Sequence, residues 1–113
     1  MQLLREISVR LGRSTASSPW RTETATASVE SFRSTRWASA TFEGHRHEFA
    51  VRFDGRPDAV DASVARFLAT VDVDDIVLGG ELLADLALVG EEQASDGVLA
   101  MRTLRYEALT VAE

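Results

Sequence analysis

The 113 residues carry 12 basic and 18 acidic side chains, a net charge of −6 with both histidines neutral, and 45% of them are hydrophobic. Every basic residue is arginine and cysteine is absent, which excludes disulfides, thiolate nucleophiles, cysteine zinc sites and lysine Schiff bases. A chain of this length suits one core and not two, so a single domain over 1–113 is expected.

The N-terminal MQLLREISVRLGR is broken by charge and no apolar run is long enough to span a bilayer, so neither a signal segment nor a membrane helix is expected. Arginine-only, alanine-rich usage suits a GC-rich bacterial genome, and a cytoplasmic location is the expectation. Charge divides unevenly. Residues 1–56 hold nine Arg and six acids, whereas 57–113 hold three Arg and twelve acids. An acidic chain without lysine lacks the basic footprint that nucleic acid requires. Opposed charge in the two halves fits strands that pair across the fold, or a self-complementary surface between copies.

In chain order, LLREISVRL reads as a strand with Leu3, Ile7, Val9 and Leu11 on one face, or as a helix with Leu3, Leu4, Ile7 and Leu11 together. Residues 12–20, GRSTASSPW, have the composition of a loop. From Thr22 the alternation of Ala25, Ala27 and Val29 with polar residues reads as a half-exposed strand. In RWASATFEGHRHEFAVRF, Gly44 and His45 fit the two central residues of a type II′ hairpin. That register sets Phe42 opposite His47, Ala40 opposite Phe49 and Ala38 opposite Val51.

RPDAVDASVARFLATV places Val60, Val64, Phe67, Leu68 and Val71 on one helical stripe, with Pro57 and Asp58 in the first turn. ELLADLALVG is apolar on both faces, as a central strand would be. EEQASDG reads as a loop, and VLAMRTLRYEALTV as a last strand. The fold expected is α+β: a mainly antiparallel sheet of about five strands with one amphipathic helix packed across it.

Chemistry is thin. His45 and His47 are metal candidates, because an His-x-His pair supplies two zinc ligands; the turn register leaves His45 in the loop, and with no other histidine in the chain Glu48, Glu43 or a distant carboxylate would have to be the third ligand. GHRHEFAVRFDG resembles the His-x-His strand of the 6-pyruvoyl tetrahydropterin synthase family, which implies zinc at His45 and His47. The family's further zinc histidine and its catalytic cysteine have no counterpart here, and the resemblance covers about a dozen residues, so it is not carried further.

His47 alone, or Asp85 on its apolar strand, would be the catalytic acid or base if buried with a shifted pKa. Asp72 to Asp75 fail the calcium-loop pattern, because Ile76 stands where a third ligand belongs. Trp20, Trp37 and Tyr106, with Phe32, are candidates for lining a small-molecule cleft, against core packing as the commoner role of aromatics in a small domain. No dinucleotide fingerprint and no nucleophile elbow is present. The reading is therefore a non-enzymatic binding or oligomerisation module, without cofactor, that self-associates or takes a small apolar ligand. The alternative is a small metal-assisted or acid-base enzyme using His45 and His47.

Overall fold

The computed structural model describes residues 2–15, 25–71, 76 and 78–112. Trp20 and the Asp72 to Asp75 run lie outside the described residues. Six elements follow one another: α1 (Gln2–Thr15), β1 (Thr26–Ala38), β2 (Glu43–Gly55), α2 (Pro57–Thr70), β3 (Glu81–Ser95) and β4 (Ala100–Ala112). The strands form one antiparallel sheet in the order β1-β2-β4-β3. The α+β class and the antiparallel sheet are as the sequence implies. The count differs: among the described residues, four long strands and two helices replace about five strands and one helix.

The second helix is the N-terminal segment. Leu3, Ile7 and Leu11 are buried at i, i+4 and i+8 while Val9 is exposed, the helical alternative of the two read from the sequence. α1 runs through Thr15, into the first residues of the loop expected over 12–20, whose remainder lies outside the described residues. Arg10 fixes it to α2 by donating from Nε to the Thr70 carbonyl at 3.3 Å, while its guanidinium pairs with Glu6 at 2.7 Å. At its other end the Gln2 side-chain oxygen accepts from the Gly79 backbone N–H.

α2 begins at Pro57, whose missing N–H costs nothing in a first turn. Its buried arc runs from Ala59 through Ser63, Phe67 and Val60 to Val64. Leu68, expected on the inner stripe, lies beyond that arc and is exposed. α1 rests against β1, and α2 against β2 and β4, all on one sheet face. Between them sit Phe49, Val51, Phe53, Leu104 and Tyr106, with Phe53 edge-on to Phe67 at 5.7 Å.

Two register expectations are corrected. The first hairpin turns at residues 39–42, not at Gly44 and His45: Ser39 N–H donates to the Phe42 carbonyl at 2.7 Å, and Ser39 Oγ accepts from the N–H of Phe42 at 3.1 Å. Phe49 therefore faces Phe32, and His47 faces Ser34. The ladder runs without a break from residue 31 to 38, so the stretch read as two separate β segments is one strand, interrupted by a bulge between Val29 and Ser31.

Residues 81–95 form an edge strand, not a central one. Bulges between Leu83 and Asp85 and between Leu88 and Gly90 shift the period-2 alternation twice, which spreads leucines over both faces without burying both. The strand also continues through EEQAS, so the expected loop shrinks to residues 96–99, where Asp96 Oδ1 accepts from the N–H groups of Val98 and Leu99.

Candidate functional site

Odd-numbered residues of β2 point toward the helices, so His45 and His47 share that face near the 39–42 end of the sheet, ring centroids 5.9 Å apart. His47 is 1% exposed. Ser34 Oγ lies 2.6 Å from its Nδ1, and Thr110 Oγ1 lies 3.0 Å from its Nε2. Thr110 spends its own hydroxyl proton on the His45 carbonyl at 3.3 Å, so at Nε2 it accepts. The tautomer follows: Nε2–H donates to Thr110, and Nδ1 accepts from Ser34. Both ring nitrogens are thus occupied in the neutral form. Burial pushes the His47 pKa down, opposed by the charge of Glu81 and helped by His45.

His45 is more open. Its Nδ1 lies 2.9 Å from Glu81 Oε1, across the small β4 residues Thr110 and Ala112. Arg36 donates to Glu43 at 3.0 Å beside it. These side chains line a shallow cleft of about 240 Å³. Among the described residues no cluster of three or more His, Asp or Glu side chains could hold a metal ion. Glu48, the third ligand considered, points to the opposite face of the sheet and accepts from Arg33 at 2.8 Å. What this end of the sheet offers chemically is one solvent-accessible imidazole–carboxylate pair, and beneath it a buried neutral imidazole held by two hydroxyls.

The other candidates are dispersed. Asp85 is exposed on β3, opposite Leu109. The arginines of the neighbouring strand are engaged elsewhere: Arg102 pairs with Glu91 and Asp61, and Arg105 with Glu92 at 2.6 Å. Tyr106 is buried, stacked on Phe49 at 5.3 Å, and burial pushes its phenol up to about 12. Trp37 stands on the helix-free face opposite Gly44, its buried Nε1–H without a hydrogen-bond partner among the described residues. Ser34, Glu81 and Thr110 escape a reading of the sequence, because each meets its histidine through pairings 13 to 63 residues apart.

The helix-free face presents a different kind of surface. A trough of about 380 Å³ crosses all four strands, lined by Ser31, Arg33, Glu48, Arg105, Glu107 and Val89 among others. On β3, Leu82 stands exposed on this face and Leu88 on the helix side, with Val89 exposed at the bulge between Leu88 and Gly90. Both edge strands, β1 and β3, have strand neighbours on one side alone among the described residues.

In fold this chain is similar to a chain of a solved virion structure. One similar structure is titled virion of native gene transfer agent (GTA) particle, with a TM-score of 0.66 over 94% of this chain and 84% of that one. At 15% sequence identity the likeness is one of fold. No family model matches the sequence and no curated protein does. Among the described residues no helix is long and apolar enough to cross a membrane.

Proposed function

We propose that the chain is a non-enzymatic structural subunit that self-associates within an assembled particle. The observation that carries this is the uncovered sheet: two long edges, and on β3 the exposed Leu82, Leu88 and Val89. Unpaired edges and exposed apolar strands are surfaces that proteins either blunt or use. The likeness to a virion chain supports use. On this reading the working location is the particle and not the free cytoplasm. The space beneath α2 is taken by Phe53, Val60, Val64, Phe67 and Tyr106, which favours a protein partner over a small apolar ligand.

Size-exclusion chromatography with light scattering across a hundredfold range of concentration tests this. Mass rising above that of one 12.4 kDa chain is expected, and a strict monomer throughout overturns the reading.

One observation favours a second reading, acid-base or metal-assisted chemistry: the exposed His45–Glu81 pair in its cleft. Its discriminating measurement is elemental analysis of the purified protein beside a His45→Ala variant.

A further inference from the structure

We infer that two copies join edge to edge, the β1 segment 31–38 of one against the β3 segment 81–88 of the next. This rests on the reading of the chain as a self-associating subunit and names its contact. The first support is topological. In the order β1-β2-β4-β3 with every pair antiparallel, the two edge strands run in opposite directions. A second copy carried sideways without inversion therefore brings its β1 antiparallel to β3, and the ladder continues. Such a contact uses two different surfaces, so it repeats from copy to copy into a ring or a filament.

The second support is register. Following the pairings across the sheet, Thr35 is level with Arg46, Leu109 and Asp85; Arg33 with Glu48, Glu107 and Ala87; Trp37 with Gly44, Val111 and Leu82; Phe32 with Phe49, Tyr106 and Leu88. A copy docked on the same rows sets Trp37 beside the exposed Leu82 on the helix-free face. It sets Phe32 beside the exposed Leu88 on the helix side. Charge falls into place in the same register. Arg33 lies diagonal to Asp85 on one face, and Arg36 lies diagonal to Glu81 on the other, within the reach of long side chains across neighbouring strands.

The two segments are oppositely charged: Arg33 and Arg36 on 31–38, Glu81 and Asp85 on 81–88. Asp85 has no ion-pair partner within its own chain among the described residues. The side chains of Arg33 and Arg36 are each 73% exposed, in surface pairs with Glu48 and Glu43, and such pairs are weak enough to be exchanged. Bulges, which commonly spoil an edge, fall at Glu30, Ala84 and Val89. They leave 31–38 and 85–88 regular.

The absence of cysteine makes the contact directly testable. Full-length Thr35→Cys and Ala87→Cys variants are mixed and treated with a short bis-maleimide, each variant alone serving as control. Thr35 and Ala87 sit diagonally across the proposed contact, so the mixture is expected to cross-link and neither variant alone. In parallel, Arg33→Glu and Asp85→Arg are each expected to raise the dissociation constant about tenfold, and the double reversal to restore it to within about threefold. Circular dichroism checks that each variant is folded.

Cross-linking by one variant alone overturns the inference in favour of a two-fold contact. Oligomers that neither cross-link in the mixture nor respond to the reversals overturn the edge contact and leave the self-associating subunit standing. A strict monomer removes both.

Discussion

His47 shows how much a single side chain can depend on long-range pairing. Its neutral form is held by Ser34 and Thr110, and burial lowers its pKa from the ordinary 6.5. The charged groups facing it are Glu81, which favours the proton, and His45, which disfavours it. Unfolded, the imidazole binds a proton below about pH 6.5, whereas folded it resists until lower pH. The stability that it contributes is therefore complete above pH 6.5 and is lost as pH falls through the folded pKa. His47→Gln is expected to cost about 1–3 kcal/mol at pH 7.5 through disturbed packing and hydrogen bonds. It should also flatten the decline in stability between pH 7.5 and 5, read from urea unfolding at each pH. An undiminished decline would assign the pH dependence elsewhere. From the sequence, the His-x-His spacing was legible, but a turn read at Gly44 and His45 leaves only His47 on the strand, and the partners of both rings were not legible. The cause is Gly44, which reads as a turn residue because glycine is the common solution to positive φ. Here it sits inside β2, where a β-carbon would lie 1.9 Å from the Thr110 carbonyl oxygen. Close strand approach and tight reversal call for the same residue, and composition alone does not separate them.

At the scale of elements, α2 was legible nearly to the residue, because a 3.6-residue apolar period with Pro and Asp at its start has few other readings. Its limit is the width of the stripe. Phe67 is fully buried against Phe53 and Tyr106, whereas the neighbouring Leu68 is 44% exposed. Phe67→Ala is expected to cost about 3–5 kcal/mol, and Leu68→Ala no more than about 0.5 kcal/mol. Denaturant midpoints at constant slope measure both, and comparable losses at the two positions would mean that the helix is rotated about its axis. The strands were less legible for a physical reason. β3 has two bulges, each moving the following residues to the other face, so that an edge strand acquires the two-sided apolar pattern of a central one. α1 was ambiguous for its shortness, and what decides it is tertiary: Leu3, Ile7 and Leu11 find the core while Val9 does not.

The whole molecule is shaped by a mismatch of lengths. A strand of 13 residues spans roughly 43 Å at about 3.3 Å per residue, and a helix of 14 residues spans roughly 21 Å at about 1.5 Å per residue. Two such helices, lying against each other on one face, cover about half the length of the sheet. The sheet therefore overhangs its cover. The hairpin tips carry the exposed Phe42 at one end, and Val98 and Leu99 at the other. The result is an extent of 53 × 28 × 18 Å and a radius of gyration of 15.4 Å, against about 13 Å for a compact chain of 113 residues. The helices rest mainly on β1, β2 and β4, so on β3 Leu83 and Leu86 reach the core while Leu82 and Leu88 stay exposed. Elongation belongs to the single chain and not to its assembly, so it should persist when association is broken. Small-angle scattering on the Asp85→Arg variant at concentrations where its mass is that of one chain is expected to give a radius near 15 Å. A value near 13 Å would mean that the overhanging strands fold back onto the core. The long bare edges that the assembly contact requires would then not exist in the free subunit.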